Sequence, residues 1–94
     1  MVIMEERHKK IVQSILKKYP YDFYVFGSRA TGYAKKFSDL DLCVMQELPA
    51  GILSQIQEDF QESDLPFTVD VLIWDKCSKE FQELIKNDLV KVEI

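Results

Sequence analysis

Glycine and proline are scarce, three of each in a chain of 94 residues. So few breakers exclude a collagen-like chain or a Pro/Gly-rich linker and leave room for uninterrupted helices and strands. Cysteine is scarcer still. Cys43 and Cys77 are too few and too far apart for a zinc site, and they read as reduced, partly buried thiols. No apolar run approaches the roughly 20 residues needed to cross a bilayer. The stretch from Met1 to Lys10 is charged and lacks the apolar segment of a secretion signal. The expectation is a cytoplasmic protein with no membrane partner. No lysine- or arginine-rich run offsets the net charge of −4, so nothing points to direct nucleic-acid binding through phosphates.

What is present is an ordinary globular balance, 47% hydrophobic and 30% charged, which suits one domain across residues 1–94. Residues 5–18 place Ile11, Val12, Ile15 and Leu16 at helical spacing, acids early and Lys17 and Lys18 late, before Pro20 ends the helix. His8 lies near that stripe with no partner at ligand spacing and is expected to pack. Residues 21–26 (YDFYVF) read as a strand, 28–34 as one or two helical turns, and 39–45 (DLDLCVM) as a second strand. Pro49 to Phe60 read as a helix and 67–74 (FTVDVLIW) as the clearest strand. A last helix over about 76–87 carries Phe81, Leu84 and Ile85 as expected core, and LVKVEI can add an edge strand. Tyr33 and Trp74 are expected to pack in the core or an interface. The order α-β-α-β-α-β-α, with a closing β, specifies an α/β (α+β) two-layer domain.

Aspartate is disfavoured in strands, yet the second strand carries two, at i and i+2. Alternation puts Asp39 and Asp41 on one face, roughly 7 Å apart, with Leu40, Leu42 and Val44 on the other. Asp70 interrupts the third strand in the same way. Three carboxylates in one place repel one another and raise at least one pKa unless a cation intervenes. Mg²⁺ suits them, because it takes hard oxygen ligands and keeps substrate phosphates in its shell. Two such ions can clamp both the attacking and leaving oxygens of an in-line displacement.

Gly27-Ser28 links the first strand to a helical turn. Such a turn can seat a phosphate: Gly27 permits close approach, Ser28 can donate to an oxygen, and Arg29 can add charge. The segment GSRATG is not a Walker A loop, since the Gly-Lys-Ser/Thr ending is missing. Asp39 follows Ser28 by eleven positions, so cradle and acids are joined by one short excursion.

Gly27-Ser28, then Ser38-Asp39-Leu40-Asp41, then Asp70 on a later strand resembles the DNA polymerase β-type nucleotidyltransferase superfamily. Within it, FGSRATGYA followed by SDLDL is similar to the minimal nucleotidyltransferases, from the first helix to VKVEI. That resemblance implies a mixed β-sheet with helices packed on one face. It implies that Asp39 and Asp41 hold two Mg²⁺ ions and the triphosphate of a substrate such as ATP. Asp70 would hold the catalytic metal and help activate an acceptor hydroxyl, and Gly27 and Ser28 would bind the β/γ-phosphates. It further implies a small helical HEPN partner protein, in some such modules the acceptor of AMP. Two other readings stay open: an antitoxin that occludes its partner without catalysis, and a transferase acting on a small acceptor such as an aminoglycoside.

Overall fold

The computed structural model describes residues 2 and 4–94. Helix α1 (Glu6–Leu16) buries His8, Val12, Ile15 and Leu16 along one side. It stops short of the lysines expected to close it. The amides of Lys18 and Tyr19 turn back to the carbonyls of Ile15 and Leu16, a tightening of the last turn ahead of Pro20. Strand β1 (Phe23–Phe26), the short helix α2 (Ser28–Thr31) and strand β2 (Leu40–Val44) follow. Helix α3 (Ile52–Gln61) begins only after Gly51, whose φ of +86° closes a turn from Pro49. Strand β3 (Val69–Ile73) runs into a 3₁₀ turn (Trp74–Lys76), so the last helix, α4 (Lys79–Ile85), starts later than its periodicity suggests. Ser78 sets that start by accepting the Phe81 amide at 3.1 Å. Strand β4 (Val90–Lys91) is the short edge strand foreseen in the tail.

The four strands form one mixed sheet in the order β3-β2-β1-β4. β1 is antiparallel to both β2 and β4, whereas β2 and β3 are parallel. A parallel pair requires a crossover, and α3 supplies it. One face of the sheet meets α1 and α3. Phe23, Val25, Leu40, Leu42, Val44, Val71 and Ile73 pack there with Val12, Leu16, Ile56 and Phe60. Burying each such side chain contributes about 1.5–3 kcal/mol.

The other face is covered only in part, by α4. Ile85 seals Phe26 and Cys43 there, flanked by Phe81, Trp74 and Leu89. Both cysteines are free. Burial, and secondarily the neighbouring Cys77, push the Cys43 thiol up to about 11. Two apolar residues read as packed are not. Leu84 is 73% exposed and Tyr33 82% exposed, because α4 turns only its Phe81–Ile85 side inward and Tyr33 lies on the loop beyond α2. His8 packs as expected, its ring edge-on to Phe67.

Candidate active site

The parallel register of β2 and β3 sets Asp41 directly beside Asp70. Partners on adjacent strands lie about 5 Å apart and point to the same face, here the one α4 leaves open. Asp39 is two residues ahead of Asp41, at the mouth of β2, where the Leu40 amide donates to the Thr68 carbonyl at 2.9 Å. That bond ties the approach to β2 to the approach to β3. Asp39 and Asp70 are exposed and Asp41 is half-buried. Burial raises the Asp41 pKa above the ordinary aspartate value, and the charges of Asp70 and Asp39 raise it further. The three acids predicted from sequence therefore share one electrostatic neighbourhood.

Gly27 ends β1 and touches the same place. Its φ is +75°, a region that side chains rarely adopt, and a Cβ there would stand 2.5 Å from Oδ2 of Asp41. Glycine is required both by conformation and by contact. The Gly27 carbonyl turns back to accept the amides of Ala30 and Thr31. The amides of Ser28 and Arg29 precede those first bonds, as at any helix start, and Ser28 is half-buried beside them. The Gly27-Ser28 turn and the acids thus meet, through direct contact between Gly27 and Asp41.

Arg29 lies inside the fold. It is only 3% exposed. Nε and Nη2 donate to the Ser38 carbonyl at 3.0 and 2.7 Å, and Nη2 also reaches the Lys36 carbonyl at 3.3 Å. Its guanidinium lies 4.1 Å from the Phe67 ring centre. The planar fork is engaged with backbone carbonyls ahead of β2. Nothing in the sequence marks Phe67 as its platform, because the two are 38 positions apart. Ser38 shapes the turn into β2 as expected, its hydroxyl accepting the Lys35 amide at 2.8 Å. Lys35 and Lys36 are exposed on that loop.

Among the described residues, no three His, Cys, Asp or Glu side chains are gathered into a ready-made metal site. The donor set nonetheless suits Mg²⁺, being hard carboxylate oxygens whose mutual repulsion, visible at Asp41, a cation would relieve. Mg²⁺ usually takes only one or two protein carboxylates and completes its shell with waters and phosphates. No helix among the described residues is long and apolar enough to cross a membrane.

Known proteins bear on this geometry. The sequence profile of the family described as "Nucleotidyltransferase domain" matches residues 5–93. A protein of Haemophilus influenzae (strain ATCC 51907 / DSM 11121 / KW20 / Rd), named "Probable protein adenylyltransferase MntA", is 44% identical over 87 residues, covering 88% of this chain and 76% of the relative. The solved structure described as "Crystal structure of the toxin-antitoxin with AMP-PNP" superposes with a TM-score of 0.71 at 18% identity. It covers 90% of this chain and 72% of that chain, and at such identity it speaks for the fold.

Proposed function

This chain belongs to the nucleotidyltransferase domain family, and we propose that it transfers AMP from ATP onto a hydroxyl of a partner protein, releasing pyrophosphate. The observation that carries this reading is the pairing of Asp41 with Asp70 across β2 and β3, with Gly27 packed against Asp41. A protein acceptor is supported by the 44% identical relative, itself named a probable protein adenylyltransferase. The partner class that the sequence resemblance implies is HEPN.

Asp39, Asp41 and Asp70 would hold Mg²⁺, which when bound neutralises the charge developing on the phosphate oxygens. Gly27 lets the backbone come close to the β/γ-phosphates, and Ser28 donates to one of their oxygens. The acceptor oxygen forms a bond to the α-phosphorus as the bond from that phosphorus to the bridging oxygen of the β-phosphate breaks. The hydroxyl proton leaves toward Asp70, and pyrophosphate takes the electron pair of the broken bond. Catalysis of this type is mainly alignment and electrostatics.

The test is to incubate the protein with ATP, Mg²⁺ and a HEPN-type candidate partner protein, and to measure intact masses. AMP increments on the partner are expected. Asp39→Asn or Asp41→Asn should lower their rate of appearance by about 10²–10³-fold or more. Wild-type rates in both variants would defeat the assignment. A partner silenced without any mass change would instead favour occlusion.

A further inference from the structure

We propose that Arg29 is the positioning residue of this site, a single guanidinium that locks the Ser28, Asp39 and Asp70 segments together. The inference rests on the roles proposed for those residues, but its first observation is independent of them. Arg29 directly follows Ser28 in α2. Two of its nitrogens converge on the carbonyl of Ser38, the residue before Asp39, and one of them also takes the Lys36 carbonyl. The guanidinium lies over the ring of Phe67, three residues before Asp70 and itself buried. All three segments of the site therefore touch one side chain.

Only arginine can do both things at once. Its fork sends two donors to one oxygen while its plane stacks on a ring, whereas lysine offers a compact point charge. Burial works against the charged guanidinium, and the nearby Asp39 carboxylate offsets part of that cost. Loss of the brace should let the loop 35–38 drift and carry Asp39 away from Asp41. Misplacements of that order cost transfer rate far more than they cost stability.

The test compares Arg29→Lys and Phe67→Leu with the wild type, each shown to be folded by thermal melting. Without metal or nucleotide, Arg29→Lys should lose hydrogen-exchange protection at the amides of Ser38 and Leu40 while those in α1 keep theirs. In transfer assays it should raise the Mg²⁺ concentration for half-maximal rate, and lower kcat, by about 10–100-fold. KM for ATP should change much less. Phe67→Leu should shift exchange and Mg²⁺ requirement in the same direction by less. A folded Arg29→Lys with wild-type exchange and wild-type Mg²⁺ requirement overturns the proposal. So does a rise in KM for ATP alone, which would make Arg29 a phosphate ligand. If Arg29→Lys does not fold, unchanged exchange in Phe67→Leu is the overturning result. Should the wild type transfer no AMP at all, the proposed function fails while the exchange comparison still decides the role of Arg29.

Discussion

The two faces of β2 are built from alternating residues of one five-residue strand, yet they answer to different demands. Leu40, Leu42 and Val44 are fully buried against α1 and α3. On the reverse, Cys43 is sealed under α4 while Asp41, two residues away, stays half open and carries a raised pKa. The closed face gains free energy from burial. The open face gives some of it up by holding like charges together. With the proposed function, stability and chemistry fall on opposite sides of the same backbone, and each should be perturbable with little effect on the other.

Three substitutions probe that separation, in falling order of expected effect on stability. Leu42→Ala should cost about 2–5 kcal/mol, since a fully buried side chain leaves a cavity between the sheet and its helices. Urea unfolding would read the loss, and the rate per folded molecule should stay near wild type. If transfer collapsed in molecules that remained folded, the two faces would not be independent. Gly27→Ala should cost about 1–3 kcal/mol, from the positive φ alone. Unlike Leu42→Ala it should also suppress transfer, because the new methyl group strikes the Asp41 carboxylate. A melt combined with a transfer assay distinguishes these outcomes.

The smallest effect concerns charge. Asp41 has its folded pKa raised above 3.8, so the folded state holds its proton more tightly than the unfolded state does. This group's contribution to stability therefore falls as pH rises from 3.8 through the folded pKa, and the penalty is fully present above it. Asp41→Asn should be slightly more stable than wild type at neutral pH, with the gap closing as pH falls toward about 4. Asp22 and Asp59, both lowered by hydrogen bonds, are common to both proteins and cancel in the difference. Paired melts across that range, without metal, measure it. A gap that is absent at neutral pH, or that widens on acidification, would mean that Asp41 is not penalised by its burial and its acidic neighbours.

Much of this arrangement could be read without coordinates. The Asp-Leu-Asp alternation names both faces of β2, because a strand has a period of two whatever surrounds it. Asp70 stands out in β3 for the same reason, and the glycine before Ser28 marks a turn. Periodicity reads less well at element ends. Leu84 fits the apolar stripe of α4 but is 73% exposed, since α4 turns Phe81 and Ile85 toward the sheet. Tyr33 is aromatic and apolar by composition, and the loop that carries it points it outward.

Local backbone geometry and side-chain chemistry were therefore enough for the element order, the two-faced strands and the three acids that break their pattern. Tertiary structure decided which acid stands beside which, because the parallel register of β2 with β3 follows from how α3 crosses over. It also decided where the Arg29 side chain lies. An arginine beside a Gly-Ser turn at a helix start has the chemistry to hold phosphate, and local sequence contains nothing to contradict that. Only the approach of Ser38 and Phe67, from other parts of the chain, turns its donors inward onto backbone carbonyls.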